Sequence, residues 1–298
     1  MKISLIGPVY PYRGGIAHYT TSLSKALKSN GHDLQLVSFK RQYPSFLYPG
    51  KSDKDPSANP VRLDAQYLLD PLYPWTWQKS ARTILNYNPD LVLMQWWTTF
   101  WGPAFTGLSY WLHHAVPIAF LIHNVLPHET KPWDFWFARL ALSNGSAFIV
   151  QAPHEQEKLK AIIPNARVSY CKHPVYQRFS NQVVSKEDAC KELGLPVSRP
   201  LLLFFGIIRP YKGLKIMLEA LSQTDADFHL VVAGEFWEEV EIYNQQIRDL
   251  GLSERVTVIN RYIPNEDAHL LFSAANVFVA PYLGGQQSGA RGEGLRAL

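Results

Sequence analysis

Short apolar runs alternate with amphipathic stretches along this chain. Residues 2–6 form a brief apolar-rich run that Gly7 and Pro8 stop, so they predict a buried strand. Residues 7–15 are a Gly- and Pro-rich loop. Residues 16–29 carry Leu23 and Leu27 at helical spacing, and Asn30-Gly31 supplies a stop. A second strand is expected at 34–39. Residues 41–60 mix Tyr, Pro, Lys, Asp and Ser without period, the pattern of a long surface loop. A helix around 77–87 and strands at 91–95, 118–122 and 147–151 follow, then a helix from near Pro153. Strand, helix and strand in alternation predict a parallel, doubly wound sheet.

Residues 174–180 read as a connector. Beyond it the pattern repeats. Helix 186–193 leads to Gly194, and 201–205 is an unbroken apolar run, as expected where helices cover both faces of a strand. Helix 214–221, strand 228–233, helix 240–250 and strands 256–259 and 277–280 complete it. The fold class is therefore α/β, with two doubly wound domains, 1–178 and 179–298. The length of 298 residues agrees, since single cores rarely grow that large.

Between Asp90 and Glu129 no Asp, Glu, Lys or Arg occurs. A membrane span has that property, but Gly102, Pro103, Gly107, His113, His114 and Pro117 interrupt the stretch, which fits strand, helix, strand better. The cluster Trp96, Trp97, Phe100 and Trp101 suits an acceptor pocket, a membrane interface or packing at a strand end.

Composition adds three constraints. Hydrophobic residues make up 47% and charged residues 18%, which excludes a disordered chain. Cys171 and Cys190 are too few for a disulfide framework and stand in no metal-binding spacing. Together with an N-terminus lacking a signal-peptide core, they predict free thiols and a cytoplasmic protein. The net charge of +4 is uneven. Residues 1–178 hold 18 Lys and Arg against 10 Asp and Glu, and residues 179–298 hold 11 against 15. The first half is expected to be drawn to anionic surfaces or acceptors, or simply to carry a soluble basic face.

The chemistry concentrates after the 201–205 strand. In a parallel α/β sheet ligands sit beyond the carboxyl ends of the strands, where Arg209 and Lys212 lie. Arg209 offers a planar fork for phosphate oxygens and Lys212 a point charge. The helix that starts at Gly213 adds its N-terminal amides. Together they predict a diphosphate cradle. No Asp-x-Asp pair or His/Cys cluster suggests a metal.

The segment Gly206-Ile207-Ile208-Arg209-Pro210-Tyr211-Lys212-Gly213, with the helix after it, resembles the donor-phosphate segment of retaining, family-4-type glycosyltransferases with the GT-B fold. Further matches come in family order. Gly14-Gly15-Ile16-Ala17-His18-Tyr19 resembles the first glycine-rich loop, and His123-Asn124-Val125-Leu126-Pro127-His128-Glu129 the histidine loop that faces the sugar. Ile263-Pro264-Asn265-Glu266-Asp267 and Phe278-Val279-Ala280-Pro281-Tyr282 resemble the loop and strand flanking the nucleotide base. Gln287-Ser288-Gly289 resembles a variant of the loop that usually carries an acidic residue toward the donor sugar. The resemblance implies two Rossmann-like domains, the second incomplete because family members continue beyond residue 298.

It also implies a glycosyltransferase that moves a sugar from a UDP- or GDP-sugar to a glycan or lipid-linked acceptor with retention, and without metal or other cofactor, the nucleotide-sugar being a co-substrate. Arg209, Lys212 and Gly15 would hold the diphosphate, and His123 would contact the sugar near its reacting carbon, unless it is a capping or core histidine. Gln287, Ser288, Gly289 and Tyr262 would meet sugar or base, unless Tyr262 is a core tyrosine. The acidic pair usual in the last loop is absent: Gln287 and Leu295 stand at its two positions. A truncated, non-catalytic nucleotide-sugar-binding or assembly protein is the alternative. A nicotinamide oxidoreductase lacks its Gly-x-Gly-x-x-Gly turn, and no basic stripe supports nucleic-acid binding. A basic first domain adds the expectation of peripheral contact with the inner face of a membrane.

Overall fold

In a computed structural model, residues 1–127, 130–174 and 184–283 are described. The chain divides into two compact units. The first comprises residues 1–55 and 60–173, and the second residues 56–59 and those from 174 onward.

The first unit is a parallel sheet of seven strands in the order β3-β2-β1-β4-β5-β6-β7. These are β1 (Lys2–Ile6), β2 (Asp33–Phe39), β3 (Gln66–Leu69), β4 (Leu91–Trp96), β5 (Ile118–Ile122), β6 (Ala147–Val150) and β7 (Val168–Tyr170). All five residues of β5 are buried, as a central strand covered on both faces requires. The helices are α1 (Gly15–Ser29), α2 (Pro74–Tyr87), α3 (Gly102–Leu112), α4 (Asp134–Leu142) and α5 (Pro153–Ile162). Asn88, at φ 52°, ends α2 in the left-handed conformation that its short polar side chain tolerates.

The second unit holds a parallel sheet in the order β10-β9-β8-β11, from β8 (Leu201–Phe205), β9 (His229–Ala233), β10 (Val256–Ile259) and β11 (Val277–Phe278). Around it lie α6 (Lys186–Leu193), α7 (Leu214–Ser222), α8 (Val240–Asp249) and α9 (Asn265–Ala274). Ser185 caps α6 by accepting from the Asp188 amide at 3.1 Å, and left-handed Gly194 closes it. One apolar cluster fills each face of this sheet, around Leu203 and Phe272 on one and Phe204 and Tyr243 on the other.

Several elements differ from the sequence expectation. The loop after Ile263 is short, because Pro264 opens α9. The 41–60 stretch contains a 3-10 turn at Ser45–Leu47. In the charge-free region, by contrast, the expected strand, helix and strand appear as β4, α3 and β5, and no helix among the described residues is long and apolar enough to cross a membrane. Trp96 and Trp101 are fully buried in the core, so packing accounts for these two. Trp97 is half-buried and donates its indole N–H to the Tyr43 hydroxyl at 2.8 Å.

Candidate functional site

Parallel sheets send every loop that follows a strand to one edge, and the candidate residues follow strands in both units.

In the second unit, β8 ends at Gly206, whose φ of 100° favours glycine. The Gly206 amide donates to Ala233 O at 2.9 Å. The chain then runs beside the turn after β9: Ile208 N donates to Glu235 O at 2.9 Å and Trp237 N to Ile208 O at 3.1 Å. A 3-10 turn at Pro210–Lys212 and Gly213 at φ 78° deliver the chain into α7. Two glycines permit this packing. A Cβ on Gly234 would sit 2.0 Å from Gly206 O, and one on Gly213 would sit 2.1 Å from Pro281 O.

Lys212 turns inward. Its side chain is buried, with Nζ 3.0 Å from where a Gly206 Cβ would stand, and it lies 5.6 Å from the Tyr282 ring centre. Burial lowers its pKa to about 8, and the Arg209 charge adds to that. The Arg209 guanidinium lies over the Trp237 ring at 5.5 Å and the Tyr211 ring at 5.8 Å. Aromatic faces steady a planar cation without neutralising it. Two cations, one desolvated, thus share the strand edge with the first turn of α7, which no side chain caps. Such a constellation favours an anion with several oxygens.

Sequence reasoning placed Arg209 and Lys212 here, and the structure brings them together. It missed Trp237 and the buried Glu235, which accepts from the Trp237 indole at 3.2 Å. They come from the neighbouring strand's turn, and no motif in the chain marks them. Tyr262 is half-buried after β10, at the same edge but beyond β9 from β8. Gln287, Ser288 and Gly289 lie outside the described residues, as do His128 and Glu129.

In the first unit, Gly14 at φ 99° starts α1, and neither a side-chain cap nor an acidic residue occupies its first turn. Gly15 is the first helical residue, and a Cβ there would meet nothing within 4 Å. His123 follows β5 and is buried. A hydrogen-bond chain fixes it: Thr20 donates to Ile16 O at 2.8 Å, the Gln95 amide N–H to Thr20 Oγ1 at 2.7 Å, and His123 Nε2 lies 2.9 Å from Gln95 Oε1. With the Gln95 amide nitrogen committed to Thr20, its oxygen accepts, so the network assigns the proton to Nε2. Gly7 makes room, since a Cβ there would stand 2.8 Å from Gln95 Nε2. Burial, then the nearby His173, pushes the His123 pKa down to about 3, with a Gln151 hydrogen bond opposing. The imidazole is therefore neutral at physiological pH.

The loop holding His123 is pinned further along. Val125 N donates to buried Glu155 Oε2 at 2.5 Å, and the Trp96 indole donates to Val125 O at 3.0 Å. Glu155 also meets Lys158 at 2.8 Å and His154 at 3.0 Å. A depression of about 420 Å³ opens near the ends of β1 and β2, with Tyr12, Phe39 and Tyr67 beside Lys40, Lys54 and Arg62.

The family model for Glycosyltransferase Family 4 matches residues 13–175, and that for Glycosyl transferases group 1 matches residues 185–287. Among solved structures, sucrose-phosphate synthase from Thermosynechococcus elongatus is similar at 18% identity and a TM-score of 0.69, over 96% of this chain and 77% of that one. Anabaena Alr3699/HepE in complex with UDP is similar at 18% identity and a TM-score of 0.66, over 96% and 75%. The catalytic domain of starch synthase IV from Arabidopsis thaliana, bound to ADP and acarbose, aligns at 12% identity and a TM-score of 0.63, over 95% and 78%. No curated protein matches in sequence.

Proposed function

Because this chain belongs to glycosyltransferase family 4, with the GT-B fold of two Rossmann-like units, we propose that it moves a sugar from a nucleoside-diphosphate sugar to a glycan or lipid-linked acceptor with retention of configuration. The observation that carries this reading is the buried Lys212 beside Arg209 at the end of β8. Two cations held side by side at a strand end, one of them desolvated, are arranged for a ligand anion with several oxygens. The donor diphosphate supplies that anion and gains charge as the glycosidic bond breaks, so cations already in place stabilise the leaving group most in the transition state.

The neutral His123 imidazole is suited to hydrogen-bond a sugar hydroxyl without repelling the positive charge that develops on the sugar ring. Gly15 opens the start of α1 to close approach by a ligand oxygen. The acceptor falls to the first unit, whose aromatic and cationic depression suits a saccharide carrying negative charge.

Calorimetric titration with UDP and GDP tests the donor assignment. One nucleotide is expected to bind saturably, and the Arg209→Ala/Lys212→Ala variant is expected to lose at least about a hundredfold in affinity, since each charged hydrogen bond contributes about 1.5–3 kcal/mol. Equal binding by the variant would remove the diphosphate role from these residues. Transfer from labelled donor, with the anomeric proton coupling of the product read by NMR, decides between retention and inversion.

A further inference from the structure

The outer face of the helices on one side of the first sheet has a composition that neither the fold nor sugar transfer explains. The crossovers from β3 to β4, β4 to β5 and β5 to β6 all advance in one direction along the sheet, so right-handedness puts α2, α3 and α4 on the same face. They pack side by side. A Cβ on Gly107 of α3 would strike Trp77 of α2, and one on Gly102 would stand 2.8 Å from Phe137 of α4.

Their inward faces are ordinary core, such as Ala81 and Ile84 on α2, Phe105 and Leu108 on α3, and Ala138 and Leu142 on α4. Their outward faces carry large aromatics. Trp75 is 67% exposed, Tyr110 64% and Trp136 58%, with Trp111 and Phe135 also exposed. Between these rings stand the exposed cations Lys79, Arg82 and Arg139. On α2, Trp75, Lys79 and Arg82 recur at helical spacing along one stripe.

Within these three helices no exposed acid balances them. The only carboxylate in the three helices is Asp134, which is buried, accepts from Lys131 N at 2.7 Å and is hydrogen-bonded to Thr99. Five exposed aromatic side chains on one face of a protein call for a partner. Tryptophan and tyrosine among lysine and arginine, without carboxylates, suit the headgroup layer of an anionic bilayer: the rings lie at the boundary of the acyl chains while the cations meet lipid phosphates. We propose that the α2–α3–α4 face docks on an anionic lipid surface. The inference does not depend on the nucleotide reading.

Flotation of the full chain with phosphatidylcholine vesicles, with and without phosphatidylglycerol, tests it. Binding is expected with the anionic lipid and is expected to weaken with added salt. Lys79→Glu/Arg82→Glu should reduce partitioning at least about tenfold, because each cation near an anionic surface contributes severalfold. Trp75→Ser/Trp111→Ser should do likewise. Lys25→Glu/Lys28→Glu makes the same charge change on α1, whose crossover from β1 to β2 runs the other way and places it on the opposite face; that variant should bind as the wild type does. Equal loss in the α1 variant would reduce the effect to net charge and overturn the proposal. So would an aromatic variant that keeps its lipid binding but turns a dimer into a monomer by light scattering, since a second copy would then own the face. Should a tryptophan variant fail to fold, brominated acyl chains decide on the wild type: quenching of tryptophan fluorescence on vesicle addition is expected, and unchanged fluorescence rejects the docking.

Discussion

At the scale of single residues, the candidate sites of the two units use burial in different ways. His123 is kept neutral, a hydrogen-bonding group rather than a charge. Lys212 keeps its charge near neutrality but loses it sooner than an ordinary lysine, at about pH 8. The sign of the resulting linkage is fixed. A bound anion favours the protonated amine and raises its pKa, so above about pH 8 binding must take up a proton. Nucleoside-diphosphate affinity should therefore fall as pH rises through 8 and beyond, by as much as about tenfold per pH unit, until the pKa of the complex is reached. Lys212→Arg, whose charge does not titrate in this range, should bind with a flatter profile. Titrations from pH 7 to about 9.5, in buffers of different ionisation enthalpy, count the protons. An affinity that ignores pH in the wild type would mean that the Lys212 ammonium does not meet the ligand.

At the scale of elements, the β8–α7 connection is where the sequence was most legible. A five-residue apolar run followed by Gly, Arg, Lys and Gly can be read without a structure, because a buried strand, a turn and a helix start each leave a local mark. The partners of that connection cannot be read in the same way. Trp237 and Glu235 reach it from another strand's turn, and Gln95, Thr20 and Gly7 reach His123 from three separate elements. β3 and β7 are four and three residues long at the sheet's two edges, too short to display a period. α4 was obscured for another reason. Its exposed side carries Phe135 and Trp136, so its polar face does not look polar.

The connection also makes a stability prediction. Gly213→Ala would place a side chain at φ 78°, with its Cβ 2.1 Å from Pro281 O. The dihedral alone costs about 1–3 kcal/mol, and relief of the contact must shift the Pro281 segment against Tyr211 and Tyr282. The variant should lower the denaturation midpoint and weaken nucleotide binding together. A change within about 0.5 kcal/mol, with binding intact, would show that the turn relaxes freely.

At the scale of the whole molecule, each unit carries its own sheet and its own apolar clusters. The cationic pair at Arg209 and Lys212 belongs wholly to the second unit. A ligand that binds one folded unit stabilises that unit by mass action, by about 2.7 kcal/mol at a hundred times its Kd. Where two domains unfold in separate steps, calorimetry sees the ligand in only one of them. UDP or GDP, whichever binds, should then raise one of two thermal transitions more than the other, and Arg209→Ala/Lys212→Ala should cancel that difference without moving either transition far. The anionic vesicles that engage the α2–α3–α4 face should act on the opposite transition, since that face lies in the first unit. Two ligands that each move a different step would establish that donor recognition and surface attachment are built into different halves of the chain. A single transition that both ligands raise equally would instead mean that the halves unfold as one, and the assignment would then rest on the paired variants alone.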